Sequence, residues 1–138
     1  MSLKNPIENP RIIVVQKLYG YYLNKESTIT FPKNKYKKFI KDVVNGTIER
    51  ENLIDDLMKK ELDEKDFNKN TEFMLKLMVM AATYEFMFMH KIPVKVVITE
   101  YLKVSDFFVD NKKTKFLNAI LDKISKKSRI SSWYIHKI

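Results

Sequence analysis

Three features of this sequence predict an all-α fold. Glycine occurs twice and proline four times in 138 residues, too little punctuation for a chain of strands and tight turns. Apolar residues make up 45% of the chain, enough for one real core at a length typical of a single domain. Those apolar residues recur at three- and four-residue intervals in segment after segment, the period of a helix with a buried face. The expectation is one domain over 1–138, with about six to seven helices and with 1–10 and 129–138 as flexible tails.

Pro10 precedes the first helix, in which Ile12, Val15, Tyr19 and Tyr22 fall at helical spacing despite the β-branched content. ESTITFPKN then reads as a loop, with Pro32 placed to start the second helix. KNKYKKFIKDVV follows and runs to Asn45-Gly46, a stop signal. Thr47 is positioned to cap a third helix that ends near Leu62, with Ile54, Leu57 and Met58 facing inward. DEKDFNKN makes a polar connection.

Residues 71–90 form a long helix. Glu72, Lys76, Thr83 and His90 fall within about 40° of one another as one polar stripe. Nearly everything else on that cylinder is apolar, which places the helix in the middle of the molecule, with its methionines as core filler. The next segment, KIPVKVVITEYLKVS, resembles a strand in composition. Helical spacing explains it better, because Val97, Tyr101, Val104 and Phe108 lie at i, i+4, i+7 and i+11. Pro93 then occupies a first turn, where its missing N–H costs nothing. VDNKK turns the chain, and a final helix over about 112–127 directs Phe116, Leu117, Ile120, Leu121 and Ile124 to the core.

The inventory for catalysis is thin. Without cysteine there is no disulfide, thiolate metal site or thiol nucleophile. Glycine at positions 20 and 46 alone writes no phosphate-cradling loop. His90 and His136 lack neighbours at metal-ligand spacing, and the acids of LDEKDFNKN lack the glycine and terminal glutamate of a calcium loop. The expectation is therefore no enzyme, no metal and no cofactor. The first ten residues carry no apolar run of a secretory leader, and the apolar stretch 73–89 is interrupted by Lys76 and Glu85, as in a buried helix rather than a membrane span. A cytoplasmic protein is expected.

The net charge of +9 is unevenly distributed, since residues 49–66 hold 8 acids against 4 bases. The basic remainder suits a polyanion, nucleic acid first. Composition alone could also write lysine on every solvated face, including the run Lys33, Lys37, Lys41. Glu85 stands apart from this pattern. It sits on the apolar arc of the long helix with no base at i±3 or i±4, so it must be buried with donors or face an opening. Burial as a structural acid is expected, with backbone N–H groups around 93–96 as its donors.

Three blocks, LMVMAATYEF, KIPVKVVITEYLKVSDFF and KFLNAILDKI, resemble those of the bacterial transcription antitermination factor NusB family, in order and without gaps. VVQKLYGYYL is similar to that family's N-terminal Ala-Val-Gln-Ala-Leu-Tyr block, and FIKDVVNGT and LIDDLMKK follow its middle helices. The resemblance covers about 11–124. It implies two packed helical bundles, no catalysis, and binding of boxA RNA from ribosomal RNA leaders together with NusE, the transcription form of a small-subunit ribosomal protein. NusA, NusG and RNA polymerase complete the complex it implies.

Carried over residue by residue, the resemblance implies RNA contacts at Arg11, Gln16 and Tyr19. The stretch PIENPR has otherwise lost the family's arginine-rich arm, and Lys112-Lys113 replace an acidic-Ser pair. Arg11, Lys112 and Lys113 are thus expected to converge on one RNA face. The partner-facing side of the long helix falls on Glu72, Leu75 and Lys76, with Leu75 where the family often has an acid. Residues 24–32 form a shorter connection than is usual in the family, which implies one short helix fewer. A module that docks protein with weak or no specific RNA binding is the alternative.

Overall fold

A computed structural model describes residues 9–63, 72–109 and 111–137, with side chains outside that description at 111 and 130–137. Most of the polar connection after Asp63, residues 1–8 and the turn residue 110 lie outside the described residues, as does the side chain of His136. Six helices follow in order: α1 (Pro10–Leu23), α2 (Lys37–Glu49), α3 (Glu51–Glu61), α4 (Phe73–Phe88), α5 (Val94–Phe108) and α6 (Asn111–Lys137). The described residues contain no strand, so the segment 94–105 is helical as its spacing requires.

α4 is the axis of the molecule and packs against each of the other five helices. Residues 77–87 are buried without interruption, because a helix surrounded on all sides needs apolar side chains on all sides. α1 and α2 pack together against it, as do α5 and α6. Val97, Tyr101 and Val104 of α5 meet Leu117, Ile120, Leu121 and Ile124 of α6 in the same continuous core.

Helix ends explain the order. Asn9 caps α1, its Oδ1 accepting from the backbone N–H of Arg11 (3.0 Å) and Ile12 (3.4 Å), while Pro10 occupies the first helical position. The C-terminal end of α4 is capped from a distance. Arg129 on α6 donates to the carbonyls of Phe86 (2.9 Å), His90 (3.3 Å) and Ile92, groups that a helix end leaves without intrahelical partners. α6 therefore runs on to Lys137 instead of stopping near 127, and Arg129 is an anchored residue rather than the start of a loose tail.

Four expectations about local structure need correction. Pro32 stays in the loop, and α2 starts only at Lys37, after a turn in which Asn34 Oδ1 accepts from the N–H of Tyr36 at 2.8 Å. Asn45-Gly46 does not stop α2, which continues to Glu49. Gly46 is there because the ring of Tyr84 occupies the space a Cβ would need. Thr47 consequently caps nothing; it is fully buried inside α2, and its Oγ1 has no hydrogen-bond partner among the described residues. Thr83 leaves the expected polar stripe of α4, buried with its hydroxyl donating to the carbonyl of Val79 at 2.6 Å. That local bond satisfies the hydroxyl, which lets a polar residue sit on a core face.

Candidate functional site

Two polar constellations mark the two ends of α4. Near its C-terminal end, Glu85 is completely buried. Arg11 Nη2 donates to Oε1 at 2.7 Å and Arg11 Nε to Oε2 at 3.1 Å, while the Tyr101 hydroxyl donates to Oε2 at 2.5 Å. The guanidinium lies 4.8 Å from the ring centre of Phe39 and 5.7 Å from that of Tyr101. Burial opposes the charge on Arg11, but hydrogen bonding and attraction to Glu85 outweigh it and hold the guanidinium above its usual pKa. Burial, reinforced by the charge of Glu85, pushes the Tyr101 hydroxyl well above the ordinary tyrosine value.

This arrangement corrects two expectations. Glu85 takes its donors from side chains of α1 and α5, not from backbone N–H groups at the start of α5. A fully ionised guanidinium is the stronger partner for a buried carboxylate, since it matches both oxygens at once. Arg11 in turn is only 9% exposed, and its fork is committed to Glu85 rather than presented to an RNA phosphate.

The other end of α4 is open and aromatic. Gln16, Tyr19 and Leu23 are exposed at i, i+3 and i+7 along α1. Tyr19 packs 5.8 Å from Phe73, the first residue of α4, and Tyr22 meets the same ring edge-on at 6.4 Å. Glu72, at the N-cap of α4, accepts an ion pair from Lys113 in the first turns of α6. From α1 Tyr19 meets Phe73, and from α6 Lys113 meets the adjacent Glu72, with Gln16 one turn along α1 and Lys112 exposed next to Lys113 in sequence. Lys76 is exposed and, with Tyr22, Glu51, Asp55 and Phe73, lines a cavity of about 170 Å³ between α1, α3 and α4.

Leu75 has no place on this surface. It is 3% exposed and part of the core, so it cannot face a partner as expected. Nor do Arg11 and Lys113 converge: they are bound to Glu85 and Glu72 respectively, and at 1.5 Å per residue of helix those acids stand about 20 Å apart along α4. Phe73, Tyr22 and Arg129 were missed by sequence reasoning. Only the spacing of Phe73 after Glu72, at the start of an apolar helix, could have flagged one of them.

The open end offers an aromatic surface flanked by a lysine–glutamate pair, suited to stacking, phosphate contact or protein docking. Among the described residues no group of three His, Cys, Asp or Glu side chains could hold a metal ion, and no helix is long and apolar enough to cross a membrane.

Residues 8–126 match the model of the NusB family. A transcription antitermination protein NusB of Buchnera aphidicola is 29% identical over 133 residues, which is 88% of this chain and 92% of that protein. The protein of that name from Bradyrhizobium diazoefficiens is 33% identical over 91 residues, 66% of this chain but only 55% of the relative. The solved structure of T. maritima NusB superposes with a TM-score of 0.74, covering 96% of this chain and 99% of the other at 24% sequence identity. At that identity the superposition speaks to fold alone.

Proposed function

This chain belongs to the NusB family, and from that premise we propose that it is a non-enzymatic transcription antitermination factor. In this reading it binds boxA-like RNA of ribosomal leader transcripts as a heterodimer with NusE, within a cytoplasmic complex that includes NusA, NusG and RNA polymerase. The observation that carries the reading is the open end of α4, where Tyr19 and Phe73 lie 5.8 Å apart and Glu72, next to Phe73 in the chain, pairs with Lys113. Exposed rings offer unstacked bases a platform, Gln16 adds an exposed amide one turn along α1, and Lys112 is an exposed cation at the start of α6. In this reading Glu72 and Lys76, half-buried and exposed respectively at the start of α4, face the protein partner.

A second reading has its own support. Two of the three cations assigned to RNA are paired with carboxylates, Arg11 with Glu85 and Lys113 with Glu72, which suits a NusB-like module that docks protein and binds RNA weakly. Titration of boxA RNA into the chain, alone and with NusE, separates the two. Preference for boxA over a scrambled RNA of equal length in the presence of NusE supports the first, and NusE binding without RNA retention supports the second.

A further inference from the structure

We propose that the start of α2 and the loop before it form a second contact site for the RNA backbone, built from Lys33, Lys35, Lys37, Lys38 and Lys41. It rests on the reading above that the chain binds RNA, but it lies outside the aromatic end of α4. Residues 33–41 contain five lysines and no acid, and all five lysines are exposed. None of them forms an ion pair among the described residues, whereas Arg11, Lys59, Lys103, Lys113 and Lys126 each face a carboxylate.

Local helix energetics run against this placement. Lys37 and Lys38 stand at the positive end of the α2 dipole and Lys41 one turn on; the first turn has no acid, and Tyr36 at the N-cap makes no side-chain capping bond. Cations gathered there repel one another and the helix terminus, and a bound anion relieves both effects. The two acids beside the patch form no ion pair with its lysines among the described residues and leave it with a net positive charge, five lysines and Arg50 against two carboxylates. Asp42 accepts from the Tyr84 hydroxyl at 2.6 Å, and Glu49 pairs with Arg50 at 3.7 Å. Lys38 and Lys41 line an open groove with Asn45 and Arg50, whose other wall carries Asp42 and Glu49.

The position fits a strand that continues past α1. Phe39, between Lys38 and Lys41 in sequence, lies against Arg11 in the first turn of α1, so the start of α2 packs beside the start of α1. Lysine makes point-charge contacts with phosphate and does not read bases. An anionic membrane fits less well, since none of the large exposed apolar residues falls between 24 and 52 to insert into a bilayer.

The test is salt-dependent binding of the full chain, with NusE, to boxA RNA and to a scrambled RNA of equal length. One variant carries Lys33→Gln, Lys37→Gln, Lys38→Gln and Lys41→Gln; a charge-matched control carries Lys60→Gln, Lys91→Gln, Lys95→Gln and Lys127→Gln. The α2 variant should lose roughly tenfold or more affinity for both RNAs and flatten the salt slope by about 2 to 3, at about 0.7 per phosphate contact. Its boxA-to-scrambled ratio should be unchanged and its melting temperature no lower than that of the parent chain. Equal losses in the two variants would reduce the patch to net charge and overturn the site, as would stronger capture of the parent chain by phosphatidylserine vesicles than by RNA. A parent chain without boxA preference would sink the functional reading instead, while the slope change still decides the site.

Discussion

Arg11 and Glu85, one at the start of α1 and the other near the end of α4, form a two-pronged ion pair sealed in the core, with Tyr101 as third member. Such a pair contributes little net stability over an apolar replacement, but breaking it leaves a bare charge in a low dielectric. Its value here is positional, because it fixes the entry of α1 against the α4–α5 layer. Glu85→Gln or Arg11→Met should each cost about 3–5 kcal/mol in urea unfolding. The combined change Arg11→Met, Glu85→Leu and Tyr101→Phe should recover most of that loss. Additive losses in the combined variant would show that the pair is not acting as one unit.

Tyr101 makes stability sensitive to alkaline pH. Its folded pKa is raised by burial and by the neighbouring Glu85 charge, while in the unfolded chain tyrosine ionises near pH 10 or so. Above that pH the unfolded state has released the proton and the folded state has not. The contribution of Tyr101 is therefore complete below about pH 10 and is lost as pH rises beyond it, by about 1.4 kcal/mol per pH unit. Tyr101→Phe should be less stable at neutral pH, yet show a shallower decline above pH 10. Parallel curves for the two proteins would contradict this assignment.

The two glycines should respond oppositely to the same substitution. Gly20 lies within α1 with open space where a Cβ would go, so Gly20→Ala should stabilise by about 0.5–1 kcal/mol. Gly46 has the Tyr84 ring in that space. Gly46→Ala should destabilise by about 1–3 kcal/mol through overpacking, despite alanine's better helix propensity. Thermal melts of the two single variants decide the matter.

Glu72 restrains the cation nearest the aromatic end. The Glu72–Lys113 pair is partly exposed, so its loss should change stability by no more than about 1 kcal/mol. Glu72→Gln should nevertheless tighten RNA several-fold at low salt and steepen the salt slope by up to about 0.7, as loss of the carboxylate makes the start of α4 and α6 more cationic. An unchanged slope would mean that Lys113 does not approach the RNA.

Much of this architecture was legible from periodicity. The burial of Leu117, Ile120, Leu121 and Ile124, the helical nature of 94–105 and the burial of α4 all follow from apolar spacing, which tertiary packing reinforces. What failed was local punctuation. Asn45-Gly46 carries a turn signal, but close packing against Tyr84 required the glycine within a continuing helix. The site was harder to read because it depends on pairings across the chain. Neither the isolation of Glu85 nor the position of Arg11 names the other as its partner, and Lys113 meets Glu72 only once α6 is laid beside α4. The solitary acid on an apolar arc did signal burial. Its donors could come only from the fold.

Cooperative RNA binding with NusE is the claim on which the functional reading stands. The direct measurement is the boxA RNA dissociation constant at fixed salt, with and without saturating NusE, together with the NusE dissociation constant with and without RNA. NusE should tighten RNA at least several-fold, and RNA should tighten NusE by the same factor, as linkage demands. Equal RNA affinity with and without NusE would contradict cooperative assembly and leave the open end of α4 as a protein-docking surface alone.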